Sequence, residues 1–425
     1  MAGGQIVWSS VQTMSHSPPS PAAPLAGVTV LEVANMIAAP GAAAMMADMG
    51  AKVIKVEPLT GDILRGMVLG PGVGPDPWFE LDNRGKEGLA VDLNRPEGIE
   101  IVHHLATTAD VFITNLTRDR QERFEMSAES IHKISPSVVH TSLTGYGTEG
   151  PEADRLAYDM TAFFARGGIQ SLVAEPGGPP AAFRPGQGDH TSSLSILSAV
   201  LAALRVRDNT GQGQVVEVAL MHVAAWTIGS DLSTTMVTNT NPELHKRSHW
   251  PTPLTCRFEC GDGKWVALCM PSDTSDWFER FALCLGHSEW ATDPRFSDPD
   301  ARRRHAAELI ALCDSVYATA DRPEWARRMD EAALTWAPVQ SPEELASDPQ
   351  AEALGILHLI EEHPDGPFFT VNAPFKIRGA DVGIRHRAPA LGEHSRSILT
   401  EAGYDPDRVQ SLVDQRIVGV YAASS

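Results

Sequence analysis

Val28-Thr29-Val30-Leu31-Glu32-Val33, Pro40-Gly41-Ala42-Ala43-Ala44-Met45-Met46-Ala47-Asp48-Met49, Gly50, then Ala51-Lys52-Val53-Ile54-Lys55-Val56 is the stretch that decides the fold. The first run is short, almost wholly apolar and rich in β-branched residues, the pattern of a buried strand. The second is made of small helix formers behind a proline, and Gly50 ends it. The third is another buried strand. Two strands joined by one helix over this length form a βαβ unit, and hence a parallel pair.

The pattern continues outward. Gly88 to Leu93 reads as a strand, Pro96 to Ala106 as a helix with proline in its first turn, and Val111 to Thr114 as a strand. Val138 to Leu143 and Val215 to Ala219 read as two more strands. Strands alternating with helices imply an α/β chain with a Rossmann-like parallel sheet and ligands at the strand C-terminal ends. Composition shifts later: residues 225–345 hold seven of the nine Trp and all five Cys. The expected organisation is a tail without order over 1–23, a large α/β domain over 24–224, a smaller inserted α+β domain over 225–345, and a return to the large domain over 346–425.

A net charge of -20 argues against nucleic acid and anionic membrane surfaces as partners. It leaves room for a small anionic ligand on a local basic patch. Five scattered cysteines suit thiols in a reducing cytoplasm better than a disulfide frame. Cys256 and Cys260 have no partner pair at zinc spacing, so no metal site is expected. No apolar run reaches the ~18 residues of a membrane helix, and the N-terminal residues lack the basic start of a signal peptide.

Chemistry points to Pro185-Gly186-Gln187-Gly188-Asp189-His190. It sets a carboxylate on a Gly-rich turn ahead of a helix through Leu194, Leu197, Leu201 and Leu204. The positive end of that helix favours an ionised acid. An accessible carboxylate in a sheltered place suits a nucleophile; the simpler reading is that Asp189 is a helix N-cap. Asp159 likewise reads as the cap of a helix through Phe163 and Phe164, or else Tyr158 beside it donates a hydrogen bond in a substrate pocket. Gly145-Tyr146-Gly147-Thr148-Glu149-Gly150 matches the dinucleotide pattern, but Pro151 follows where a helix should open, so it reads as a Gly-rich turn. His190 next to Asp189 does not make a Ser/His/Asp relay, because such partners must face each other in space. Arg118, Arg120 and Arg123, just past the strand ending at Thr114, are well placed for phosphate.

Other segments carry a resemblance. They are Pro24 to Glu32, Ala47 to Pro58, Asn83-Arg84-Gly85-Lys86, Thr144-Gly145-Tyr146-Gly147, Thr210-Gly211-Gln212-Gly213-Gln214 and Leu391-Gly392-Glu393-His394. In this order the chain resembles the family III coenzyme A-transferases, which include formyl-CoA, carnitine-CoA and bile-acid CoA-transferases and the related α-methylacyl-CoA racemases. The resemblance implies a homodimer whose two chains interlock. It implies acyl-CoA and a carboxylic acid as substrates, with no permanently bound cofactor. It makes Asp189 the nucleophile.

In the racemase branch a His stands where this chain has Tyr158. A phenol titrates near ~10 and is a poor base at neutral pH, so the epimerase reading, proton transfer at the α-carbon, is the alternative rather than the first choice. A CoA-binding protein without catalysis is a third reading. By position matching, coenzyme A lies along Met36, Ile37 and Ala38, along Val91 to Asn94, along Asn115, Leu116 and Thr117, and at Arg123 and Arg155. Tyr158, Asp159 and Ile37 face the substrate. Pro58 stands where some members have an Arg, and Ile37 where formyl-CoA transferase has a Gln, so an apolar or larger acid is expected rather than oxalate.

Overall fold

The structure, a computed structural model, describes residues 23–70 and 74–421. Of the tail expected over 1–23, only Ala23 lies within the described residues, and it is buried. The described chain forms two compact units. One comprises residues 23–170, 182–239 and 352–421, the other 171–181 and 240–351.

In the first unit, β1 (Thr29–Val33), α1 (Ala38–Asp48) and β2 (Lys52–Glu57) are the βαβ unit read from the sequence. After it come α2 (Pro77–Asn83), β3 (Glu87–Val91), α3 (Pro96–Ala106), β4 (Val111–Thr114), α4 (Arg118–Arg123), α5 (Ala128–Ile134) and β5 (Val139–Thr144). A π-helical turn (Met160–Ala165) and the short α6 (Ile169–Leu172) lead on to α7 (Gln187–Thr210), β6 (Val215–Ala219), α8 (Leu220–Thr227) and α9 (Gly229–Thr238).

The second unit holds a three-stranded antiparallel sheet, β7 (Arg257–Glu259), β8 (Trp265–Leu268) and β9 (Trp336–Pro338). Its core stacks Phe258 on Tyr317, whose carbonyl accepts the Trp325 indole N–H at 2.8 Å. The first unit resumes with the antiparallel pair β10 (Leu357–Ile360) and β11 (Phe368–Val371), and ends on β12 (Val418–Gly419).

The main sheet has the order β12-β3-β2-β1-β4-β5-β6 and is parallel except for β12, which runs antiparallel to β3. From β1 the chain winds to β2 and β3, then returns to the other side through β4 to β6. The strand order therefore reverses at β1 and β4, where a doubly wound sheet opens a crevice for ligands. Alternate residues feed two cores. Val30, Val53 and Val111 face α1, α7 and α8, whereas Leu31, Ile54 and Phe112 face α3 and the C-terminal helices.

All eleven residues of α1 are buried, which explains its small side chains. It packs directly along α7, where the Ser193 hydroxyl donates to the Ala38 carbonyl at 2.7 Å. A larger residue at Gly41 would collide with Ser193 and Asp82. This packing brings the first turns of α1 and α7 together.

All five cysteines are free. Among the described residues no His, Cys, Asp and Glu side chains cluster as metal ligands, and no helix is long and apolar enough to cross a membrane.

Candidate active site

α7 begins at Gln187, and Gly186 is its N-cap, at φ 93°. This left-handed conformation is cheap only for glycine. Asp189 is therefore the third helical residue, which corrects its reading as an N-cap. Gly188 serves packing rather than freedom: a Cβ there would lie 2.7 Å from the Phe163 ring. The Asp189 side chain is half-buried, and among the described residues no group donates a hydrogen bond to it.

Three titratable side chains surround Asp189. Burial pushes its carboxyl up to about 7; the Asp159 carboxylate adds to the rise, His190 opposes it, and Asp82 contributes to it. The helix terminus was expected to favour the ionised form, but desolvation and a like charge outweigh it. Asp82 comes from α2. It is almost wholly buried, and its Oδ1 lies 3.2 Å from His190 Nε2 while its Oδ2 has no partner among the described residues. His190, the residue that fits no relay in sequence, thus has an acidic partner 108 positions away.

Asp159 is not the side-chain cap of its own helix. Its Oδ2 accepts the Gly186 N–H at 2.7 Å, and the residue is buried. It therefore holds the glycine turn that presents Asp189. Tyr158, its neighbour, is 61% exposed and bonds through its backbone to Thr161.

The Met36–Ala38 stretch joins the end of β1 to α1. Met36 has φ 67°, a costly angle for a non-glycine residue. Several groups hold it there. The Asn35 N–H donates to Asn115 Oδ1 at 3.1 Å, and Asn115 Nδ2 returns a bond to the Asn35 carbonyl at 2.7 Å. The Met36 N–H donates to Asp62 Oδ1 at 3.3 Å. Asp62 is fixed by the fully buried Lys55, whose Nζ also reaches Glu32 Oε1 at 3.0 Å and the Ala34 carbonyl at 3.1 Å. Lys86 meets the other oxygen of Glu32 at 2.5 Å. Ile37 then leans over the Gly186 turn: a Cβ at Gly186 would sit 3.5 Å from Ile37 Cδ1.

On the other side of Asn35 a cavity of about 340 Å³ opens at the strand C-terminal ends. Val91, Asn94, Leu116 and Arg123 line it, as do Asn35, Pro58 and Arg120. Arg123 bonds Asn94 and lies 4.8 Å from the Phe124 ring. Asn115 and Thr117 flank Leu116. Arg155 lies apart from this lining, exposed, with its guanidinium 2.7 Å from Glu152. Sequence reasoning missed Asp82, Lys55 and Asp62 as parts of the site, since nothing in their own segments marks their long-range partners. Gly145 to Gly150 leads into a loop and opens no helix.

The family model for CoA-transferase family III matches residues 25–395. The chain is 32% identical to (R)-2-hydroxy-4-methylpentanoate CoA-transferase of Clostridioides difficile, over 93% of this chain and 99% of that one. It is 29% identical to cinnamoyl-CoA:phenyllactate CoA-transferase of Clostridium sporogenes, over 91% and 95%. Among solved structures, a CAIB/BAIF family protein from Brucella suis superposes with a TM-score of 0.80 at 28% identity, covering 89% of this chain and 99% of its own.

Proposed function

This chain belongs to CoA-transferase family III and transfers coenzyme A, and we propose that it does so through Asp189. The epimerase alternative is not favoured, since the named relatives are transferases. The observation that carries the proposal is a half-buried carboxylate, free of hydrogen bonds among the described residues, on a constrained turn beside the Met36–Ala38 stretch. A structural aspartate at a helix start normally caps it; this one is left open to a reactant.

The ionised Asp189 attacks the acyl-CoA thioester carbonyl. The C–S bond breaks, CoA leaves as thiolate, and an Asp189–acyl anhydride forms. The thiolate then attacks the Asp189 carbonyl, giving an Asp189–CoA thioester and releasing the donor carboxylate. The acceptor carboxylate attacks that thioester to form a second anhydride, and the thiolate takes the new acyl group. Asp189 is regenerated, and no resident cofactor is needed. An anhydride is lost to water unless the site is sheltered, which the burial of this turn favours.

Coenzyme A lies along Met36 to Ala38, Val91 to Asn94 and Asn115 to Thr117, with Arg123 on its phosphates and Arg155 a further contact. The cavity lined by Val91, Asn94, Leu116 and Arg123 supports the nucleotide end of this path. Ile37, Tyr158 and Asp159 face the acid. The apolar Ile37, and relatives named for a branched and an aromatic 2-hydroxy acid, favour an acid with an apolar side chain. The enzyme works as an interlocked homodimer; exposed Trp226, Met236 and Val237 on α8 and α9 support a partner surface. Five free thiols support a cytoplasmic setting.

Hydroxylamine trapping tests the nucleophile. Enzyme incubated with an active acyl-CoA donor and then hydroxylamine should carry a hydroxamate mass on Asp189 alone. Absence of the adduct together with full activity in Asp189→Ala would end the proposal. A screen of CoA exchange among branched, aromatic and short polar acids tests the substrate class, with oxalate expected among the poorest acceptors.

A further inference from the structure

Three carboxylates meet at the start of α7. Asp189 lies in the helix, Asp159 enters from the segment before the π-helical turn, and Asp82 enters from α2. One ionisable base stands among them, His190. Its Nε2 lies 3.2 Å from Asp82 Oδ1, and the second Asp82 oxygen is buried without a partner among the described residues. A buried carboxylate left half satisfied is costly, so it favours a positive charge on the side chain it touches. The imidazole is partly open to solvent on its other side.

The remaining neighbours complete the charge picture. Arg84, just past α2, also acts on His190, but its guanidinium is committed to Asp48 at 2.7 Å. The one charged side chain of α1 is that same Asp48, at the far end of the helix. Burial works against a charged His190, yet the bond and the charge of Asp82, with Asp189, outweigh it and raise its pKa above the ordinary value.

We propose that His190, held by the buried Asp82, is a positioning residue for the reaction: its imidazolium keeps Asp189 ionised between two other carboxylates. This rests on the reading of Asp189 as nucleophile. The attack needs Asp189 without its proton, and no proton moves in the bond exchange itself. His190 acts through the nucleophile and sets the pH range over which it is competent. The two groups titrate as a pair, so the observable is their joint behaviour.

The test begins on the unliganded enzyme. With aspartate labelled at Cγ, the Asp189 carbon resonance is assigned by its loss in Asp189→Asn and followed against pH. In His190→Gln its midpoint should rise by about one pH unit; in His190→Lys, which keeps a cation, it should stay near the wild-type value. In Asp82→Asn the His190 ring-nitrogen midpoint should fall. An Asp189 midpoint unmoved in His190→Gln overturns the proposal. The kinetic arm uses a donor found active in the exchange screen. His190→Gln should lose about tenfold at pH 6 and approach the wild-type rate at pH 9. An equal loss at both pH values means that His190 contacts substrate instead, and overturns it too. Failure of the underlying reading shows separately, as a missing Asp189 adduct and an active Asp189→Ala.

Discussion

Two groups of buried charges sit in the first unit, and they are built on opposite rules. Beneath the Met36 turn, Lys55 and Lys86 face Glu32 and Asp62, all four fully or nearly buried, with the ammonium groups in ion-pair reach of the carboxylates. At the start of α7, three acids and one histidine come together, His190 is bonded to Asp82 alone among the acids, and among the described residues no group donates a hydrogen bond to Asp189. Balanced charges hold a strained backbone still. Unbalanced charges, together with burial, push one carboxyl up to about 7. The difference teaches that desolvation alone does not make a reactive site; the partners decide, because a matched cation removes the reactivity that burial creates.

Predictions can break or sharpen that contrast. The largest effect is expected at the unbalanced group. On the proposed mechanism, Asp189→Ala removes the carboxylate that carries the covalent intermediates, and kcat should fall by about 10⁴-fold or more, read by CoA exchange. Retention of a tenth of the activity would make the turn a binding feature.

The next largest effect belongs to the balanced group. Lys55→Met leaves Asp62 and Glu32 short of a buried cation, and should cost about 3–5 kcal/mol in denaturant unfolding. A cost below ~1 kcal/mol would mean that the network is dispensable for the Met36 turn.

An intermediate effect tests the cavity at the strand C-terminal ends. Arg123→Ala should raise KM for acyl-CoA about tenfold, roughly 1.4 kcal/mol, with kcat little changed. A fall in kcat with KM constant would place Arg123 at the reacting atoms instead.

The smallest effect is a gain. Asp189 titrates at about 7 in the folded chain and near ~3.9 unfolded. Between those values the native state holds more protons than the unfolded state, so stability falls as pH rises through this window. Asp189→Asn lacks that penalty. Its advantage should be nil below about pH 4, grow to about pH 7 and then stay level, at about 1–2 kcal/mol after discounting for solvent contact. Melting temperatures of the two proteins at pH 4, 6 and 8 measure it; a lower Tm for the variant at pH 8 would contradict the strained-carboxylate account. On the proposed mechanism the same ionisation should make wild-type kcat/KM rise with pH through about 7.

Much of this was legible in the chain. The strands β1, β2, β4 and β5 and the helix α3 lie where apolar runs, Pro96 and Gly50 place them, because those signals are local. The start of α7 was legible to within a few residues from Gly186 and Gly188. The rank of Asp189 within its first turn was not, since the cap depends on the φ of Gly186, which its neighbours do not dictate. Asp159 was singled out for the wrong bond: the cap pattern is common, while its actual partner lies 27 residues on.

By itself the sequence determined the alternation of strand and helix and the family membership through its ordered motifs, and it offered Asp189 as the candidate acid. Tertiary structure decided which polar groups meet: Asp159 with the Gly186 N–H, Asp82 with His190, and Lys55 with Asp62 beneath Met36. The physical reason is range. Backbone preferences act over a few residues and are written in local order, whereas desolvation and Coulomb terms depend on what the fold carries to within a few ångströms. Only the folded chain could set the Asp189 carboxyl near neutrality.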